Sequence, residues 1–533
     1  MVMMARQVTR GMVVAPHHLA AEAGLSVLRE GGNAIEAMLA AAATIAVVYP
    51  HMNSIGGDGF WMIHRPGEEM IAIDACGPAA GQATIARYRE KGLDAIPFRG
   101  GDAAITVAGT VAGWELAQDF SQSRWGGRLP VARLLEDAIH HAEAGCPVTP
   151  SQAVTTREKA SELAPQPGFG EVFLPEGKPP EPGTLFRQPR LAGALRQLAR
   201  AGYGDFYCGD LAADIARDLE RAGSPVRRDD LASQAATLTA PLSIQLRIGK
   251  VFNTPPPTQG LASLIILGLL ERFGIDRLSP ESPECVHAVV EATKLAFRVR
   301  DAVITDPAFA DHDLQDLLGA AHLENLAEGF NPAAARPWPS TDVPGDTVWL
   351  GAVDGEGRAV SFIQSIYHEF GSGVVLPSSG ICWQNRGCSF SLDEAAMNPL
   401  TPQRKPFHTL NPPIALLRDG RTLAYGTMGG DGQPQTQAAI FVRHVFHGQD
   451  LAHAIDAPRW LLGRTWGRNT DTLKLESRFS AALCDRLVDM GHQIETLEDY
   501  SEMVGHAGAV AVGRDGIIFG AWDPRSDGNA AGF

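Results

Sequence analysis

Gly345-Asp346-Thr347-Val348-Trp349-Leu350 is the stretch that decides how the rest of this chain is read. Before it, residues 329–346 hold four prolines, Pro332, Pro337, Pro339 and Pro344. Each proline locks φ and removes an N–H, so the segment is predicted to be a flexible connection rather than a helix or central strand. After it, VWLGAV and RAVSFIQSI read as the arms of a hairpin that reverses at Asp354-Gly355-Glu356-Gly357. Thr347 therefore stands where a loose connection ends and a strand begins. Cleavage of the Asp346–Thr347 bond would make it a free N-terminus carrying both a hydroxyl and an α-amine. The amine, with a pKa of about 8, can take the hydroxyl proton as the oxygen attacks a carbonyl. Taken alone, the triplet reads as an ordinary strand-initial threonine, and the surrounding chain has to decide.

The chain has 533 residues, 45% apolar and 20% charged, with 57 Gly and 36 Pro, a composition that fits a globular protein rich in turns. The length suits one large domain or two to three ordinary ones. A net charge of −16 argues against nucleic acid or an anionic membrane as partner. The seven cysteines are scattered, and Cys382 and Cys388, six apart without neighbouring histidines, lack zinc-ligand spacing. Free thiols in a reducing compartment, no export signal and an apolar run (37–48) too short to span a bilayer predict a cytoplasmic protein. No metal or organic cofactor is expected.

Residues 17–29 read as a helix closed by Gly31-Gly32. Asn33 then caps a second helix to Val48, with Glu36 in the capping-box position. That helix is apolar all round, the mark of burial between layers. Two short strands, 60–64 and 70–74, follow the Ile55-Gly56-Gly57-Asp58-Gly59 turn. The Gly-rich segment 107–113 is read as a turn into a helix from Trp114, and 165–189 as an ordered surface loop. Helices are predicted at 191–201, 211–222 and 285–299, and strands at 413–417 and 422–426. A Gly429-Gly430-Asp431-Gly432 turn leads into a helix from Gln435. Helices with mostly antiparallel strands predict a layered α+β sandwich. No G-x-G-x-x-G, Walker A or G-x-S-x-G signature is present.

Several stretches together carry a resemblance: residues 13–18 with Gly31-Gly32-Asn33-Ala34, Pro50-His51 with Gly56-Gly57, residues 107–113, Asp205-Phe206-Tyr207, Pro255-Pro256-Pro257-Thr258, Glu291-Ala292 with Ala296-Phe297, and Asp523-Pro524-Arg525-Ser526. In this order they resemble the γ-glutamyltransferase family of N-terminal-nucleophile hydrolases over nearly the whole chain. The resemblance implies a four-layer αββα sandwich, made as a precursor that cuts itself before a threonine. The cleavage site falls at Asp346 and Thr347. It would give a large subunit (1–346) and a small subunit (347–533) interleaved in one fold, with a dimer of such heterodimers as the assembly to test. The nucleophile falls on Thr347, the helper hydroxyl on Ser365 and the oxyanion-hole glycines on Gly429 and Gly430. The hairpin supports the pairing independently. Residues 347 and 365 are equidistant from Glu356, and directly opposed residues share a face. Glycine also suits a turn whose N–H groups must approach an alkoxide closely.

The substrate pocket departs from the family pattern. The large-subunit stretch that supplies an arginine for a glutamyl α-carboxylate reads Ile73-Asp74-Ala75-Cys76-Gly77-Pro78 here. The stretch with the aspartate for the α-ammonium reads Asn385-Arg386-Gly387-Cys388-Ser389-Phe390, leaving Ser389 in its place. The asparagine after the helper hydroxyl is Tyr367, and the Ser-Ser pair is His408-Thr409. A buried ammonium without its carboxylate costs several kcal/mol, so a glutamyl donor fits badly. Arg386 offers a planar fork to a carboxylate, although a surface ion pair is its plain alternative. The expectation is a small carboxylate-bearing amide, with oxamate leading because the sequence looks most like the branch acting on oxamate in purine-nitrogen catabolism. A γ-glutamyl hydrolase or transpeptidase, a glutaryl- or cephalosporin-type acylase, and an uncut binding relative are the alternatives.

Overall fold

Two seven-stranded antiparallel sheets organise the computed structural model, which describes residues 4–310, 313–338, 346–463 and 471–533. In chain order the strands are β1 (Arg6–Val8), β2 (Gly11–Ala15), β3 (Asp58–His64), β4 (Ile71–Ala75), β5 (Thr237–Thr239), β6 (Leu242–Leu246) and β7 (Gly249–Asn253). They continue as β8 (Asp346–Asp354), β9 (Ala359–Tyr367), β10 (Ile414–Leu417), β11 (Thr422–Thr427), β12 (Ala507–Val512), β13 (Ile518–Trp522) and β14 (Asn529–Gly532). One sheet runs β14-β2-β8-β9-β3-β4-β5 and the other β1-β13-β12-β11-β10-β7-β6. Strands from either side of residue 346 thus lie next to one another in both sheets. Gly345, Pro339 and Pro344 of the proline-rich connection lie outside the described residues.

Helices cover both outer faces. On the first sheet lie α1 (His18–Arg29), α2 (Ala34–Val48) and α3 (Thr110–Phe120); on the second lie α4 (Gly260–Arg272), α5 (Pro283–Val303) and α6 (Gly432–Phe441). The order helix, sheet, sheet, helix is the expected four-layer sandwich. Every residue of α2 is buried, and Asn33 and Glu36 form the capping box that the sequence announces.

The hairpin fixes where chemistry can occur. Pairs such as Val348↔Gln364 and Leu350↔Phe362 centre it on Glu356, as its sequence requires. Strand residues alternate between faces. Val348, Leu350 and Ala352 join the helix-side core, while Trp349 and Val353 join the core between the sheets. Ala359 and Ile363 of β9, with Phe60 and Met62 of β3, also point between the sheets. The same parity places Thr347, Ser365 and Asp58 on the inner face, at one end of the sandwich.

Some expectations change. The helix placed at Trp114 starts at Thr110, so the glycines before it are not a free turn. Cβ atoms at Gly109 and Gly113 would sit 2.3 Å from the Ala75 carbonyl oxygen and 2.6 Å from Ala75 Cβ, so they serve close approach of helix to strand. Segment 165–189 is not a surface loop: Phe169, Phe173 and Phe186 are buried in a small core with Phe370. The helix expected from Gln435 begins at Gly432. Helix α4 and strands β6, β7 and β12–β14 were not anticipated at all.

Segment 331–336, which leads toward the connection, is held by a buried polar cluster. His287 bonds the Asn331 carbonyl (2.8 Å), Lys294 Nζ donates to the Arg336 carbonyl (2.6 Å) and to Glu291 (2.7 Å), and the His287 and His492 rings bond each other (2.8 Å). His287, Glu291 and His492 bring three ligand-type atoms within 4.8 Å of one another. The lysine ammonium already occupies the carboxylate, and a clamp on this segment accounts for the cluster.

The hairpin turn is tied to α2. Asp354 Oδ2 accepts from the N–H of Ala34 (2.9 Å) and from Arg358 Nε (2.6 Å), and Oδ1 accepts from the N–H groups of Glu356 and Arg358. Asp354→Ala would leave Arg358, itself buried, without its carboxylate. We expect the loss of about 3–5 kcal/mol, read as a lower midpoint in urea unfolding.

Candidate active site

Thr347 and Ser365 meet at the open end of the hairpin. Thr347 Oγ1 donates to Ser365 Oγ at 3.3 Å, and the Tyr367 N–H donates to the same oxygen at 2.8 Å. The register shifts between Asp346 and Val348, so Ser365 and Ile366 together face Thr347. Such bulges re-aim a side chain beside a site. Asp346 pairs with Tyr367 and shares a continuous strand with Thr347, whose nitrogen is therefore a peptide amide here. Tyr367 has φ of +81°, a strained value for a bulky residue.

From the opposite sheet, α6 begins beside the nucleophile. Gln433, in its first turn, brings Nε2 to 3.5 Å from Thr347 Oγ1. The preceding Gly429 and Gly430 have φ of +114° and +51°, which glycine adopts without strain. Their carbonyls face inward: Gly429 accepts from the Gly432 N–H, and Gly430 from Gln259 Nε2 (2.9 Å). Gln259 is in turn held by Arg300 (3.0 Å), which pairs with Asp431 (2.8 Å). The two peptide planes are fixed by this chain.

Arg386 is not at the surface. It is 1% exposed, its guanidinium carbon lies 3.7 Å from the centre of the Tyr367 ring, and none of its three nitrogens has a hydrogen-bond partner among the described residues. A buried cation left so is costly unless an anion joins it. Burial works against its charge, while Tyr367 and Asp58 favour it.

Asp58 was missed by the sequence reading, which saw only a glycine turn. It pairs across the sheet with Ser365 and is fully buried. Its Oδ1 accepts the Gly77 and Gly109 N–H groups, both at 3.0 Å, and its Oδ2 lies 3.1 Å from His408 Nε2. Burial pushes the Asp58 carboxyl up to about 7, opposed by the Gly77 bond and by the Arg386 charge. Burial likewise pushes His408 well below its ordinary value, so this contact is a hydrogen bond to a neutral ring. His408 Nδ1 and the buried Thr409 hydroxyl have no partner. Ser389 differs, since its hydroxyl donates to the Arg386 and Phe407 carbonyls and holds the turn that carries Arg386.

A four-layer sandwich with a threonine hydroxyl at the head of an inner strand has the architecture of the N-terminal-nucleophile amide hydrolases, and this chain is an enzyme of that class. Residues 20–533 match the gamma-glutamyltranspeptidase family model, and the chain belongs to that family. It is 55% identical over 525 residues to the oxamate amidohydrolase proenzyme of Klebsiella pneumoniae, covering 98% of this chain and 99% of the relative. It is 41% identical to the glutathione hydrolase-like YwrD proenzyme of Bacillus subtilis, over 98% of this chain and 99% of that one. The crystal structure of a cephalosporin acylase from Bacillus halodurans superposes with a TM-score of 0.91 at 31% identity, covering 100% of this chain and 97% of that one.

Arg386→Met keeps the volume and removes a buried cation whose nitrogens have no hydrogen-bond partner among the described residues. The variant should unfold at the same temperature or higher, with stability gained on the order of 1 kcal/mol, as read by calorimetry on purified protein.

Proposed function

We propose that the chain is the precursor of an N-terminal-threonine amidohydrolase acting on a small carboxylate-bearing amide, with oxamate the leading substrate. One observation carries the reading: a fully buried guanidinium, beside the Thr347–Ser365 pair, that no protein group satisfies. A planar carboxylate is what an arginine fork binds best. The high identity to a relative named for oxamate supports the choice, as does the absence of a carboxylate at position 389 to hold an ammonium.

The chemistry follows from the placement. In the precursor Thr347 Oγ1 attacks the Asp346 carbonyl carbon; the new C–O bond replaces the C–N bond, which frees the α-amine, and water then cleaves the ester to release the Asp346 carboxylate and restore the Thr347 hydroxyl. In the mature enzyme that amine takes the hydroxyl proton, with Ser365 orienting it, while Oγ1 attacks the amide carbon. The oxyanion is held by the Gly429 and Gly430 N–H groups, each worth about 3 kcal/mol in such a role. The nitrogen leaves as ammonia with the transferred proton, and water cleaves the acyl-threonine ester. Arg386 binds the carboxylate, and the Tyr367 ring, His408 and Thr409 line the rest. The two products, 1–346 and 347–533, stay together because their strands alternate in both sheets.

Two measurements test this. Purified wild-type protein should separate into two bands on denaturing electrophoresis, and Thr347→Ala should remain one full-length band. Ammonia release should favour oxamate over γ-glutamyl amides, and Arg386→Gln should raise KM for oxamate by roughly 30-fold or more, the equivalent of about 2 kcal/mol. A clear preference for the glutamyl donor would instead select the glutathione-hydrolase reading that the second relative's name suggests.

A further inference from the structure

Beside the unpartnered Arg386 lies a second unusual feature, the Asp58–His408 pair, and the two are close enough for each charge to act on the other. Asp58 Oδ1 is committed to two backbone donors, Gly77 and Gly109, and Oδ2 to His408 Nε2. Gln384 also bears on the carboxylate and favours its charged form. One proton held by this pair sits between Oδ2 and Nε2. A second can only appear at His408 Nδ1, whichever of Oδ2 and Nε2 keeps the shared one. With one proton the pair carries a net charge of −1 and presents a lone pair at Nδ1. With two it is neutral and presents an N–H donor.

Charge balance then dictates the sequence of events. With the site free of ligand, Arg386 and the singly protonated pair sum to zero. A substrate carboxylate entering beside Arg386 would leave a net buried charge of −1, which is expensive in this environment. We propose that binding of the substrate carboxylate is coupled to uptake of one proton from solvent by the Asp58–His408 pair, which turns His408 Nδ1 into a donor and makes Asp58 a specificity-determining residue. This rests on the reading of Arg386 as the carboxylate partner.

The surroundings support the coupling. Asp58 is poised near neutrality by burial, so the second proton is within reach at physiological pH. Besides Arg386, the groups bearing on the pair are Lys405, Cys76 and Tyr207. Lys405 is neutralised by Asp74 at 2.6 Å. Cys76 and Tyr207 are held protonated by burial. The edge of the Phe60 ring, with its centroid 5.0 Å from that of His408, closes the remaining side. Among these described side chains the Asp58–His408 pair is the one left to take up a proton, and Asp58→Asn separates its uptake from any at the Thr347 α-amine of the processed enzyme.

The sign is fixed: the doubly protonated pair binds the anion, so KM must rise as pH climbs past neutrality, whereas kcat follows the separate loss of a proton from the Thr347 α-amine. For processed wild-type enzyme with oxamate, KM should rise about tenfold per pH unit above the transition. A neutral amide of similar size should show no such rise. Asp58→Asn supplies a carboxamide whose oxygen still accepts from Gly77 and Gly109 and whose NH₂ donates to Nε2, fixing the hydrogen on Nδ1. Its KM should stay flat across pH 6–9 at the wild-type low-pH level. Titrating wild-type enzyme with the monoanion glycolate at pH 8, in two buffers of different ionisation enthalpy, should count about one proton taken up per glycolate, independently of how well the variant folds. A flat wild-type KM, a pH rise that persists in Asp58→Asn, or glycolate binding without proton uptake would each overturn the coupling. Neither turnover nor binding of any carboxylate would instead overturn the reading of Arg386 itself.

Discussion

A strand shows alternate residues to opposite faces, and the β8–β9 hairpin turns that rule into an active site. Asp354 fixes the turn, the turn fixes the register, and the register sets which hydroxyls point between the sheets. Shift either arm by one residue and Thr347 would face the helices instead. The inner sheet faces are tightly packed around Trp349: Cβ atoms at Gly351, Gly426 and Gly508 would sit 2.2–2.7 Å from its ring. That indole donates to Ser361 at 2.9 Å, which pins its orientation. Thr347 stands two residues before this wedge, on a strand that cannot slide.

The opposite sheet supplies what the hairpin lacks. β11 ends where the Gly429–Gly430 turn begins, and α6 starts at once, so the N–H groups at the head of a helix converge on the end of β8. Local sequence does not hold that turn in place. Gln259 comes from the head of α4 and Arg300 from α5, and together they grip the Gly430 carbonyl and Asp431. The placement of the Gly430 carbonyl and of Asp431 is therefore a property of three helices.

What was legible in the sequence was what depends on near neighbours. The hairpin, the Asn33–Glu36 capping box and the all-apolar helix 34–48 each arise from residues within about one or two turns of each other. Strands β7 and β12–β14 escaped because a sheet covered on both faces loses the polar–apolar alternation that marks a strand, whereas β6, at the sheet edge, keeps that alternation over only five residues. Helix α4 is apolar on every side, for the same reason. Asp58 could not be recognised because its partners, Gly77, Gly109 and His408, are 19, 51 and 350 residues away. The one available signal was a carboxylate set among the glycines of Gly56-Gly57-Asp58-Gly59. Gly57 explains that setting, since a Cβ there would lie 2.1 Å from the Ser365 carbonyl oxygen. Arg386 stood out in the sequence as a guanidinium able to take a carboxylate, with a surface ion pair as its alternative; its burial is visible only in three dimensions.

Burial also limits what the site can take. Thr347, Ser365, Tyr367, Arg386, His408 and Thr409 are each at most 1% exposed. A ligand that reaches them leaves water almost entirely, so each of its polar groups must find a partner inside. The unmatched groups waiting there are a guanidinium, a histidine nitrogen and a threonine hydroxyl. Arg386 brings a positive charge, Asp58 a negative one that a proton can cancel, and no second carboxylate stands by to receive an ammonium from a glutamyl head. A monoanion with a flat carboxylate and a short reach to Thr347 satisfies that inventory. On the proposed reading, the ammonium of a zwitterion would meet only Asp58, whose oxygens are already taken by the Gly77 and Gly109 N–H groups and by His408, so a glutamyl head would have to displace those bonds at a cost of several kcal/mol.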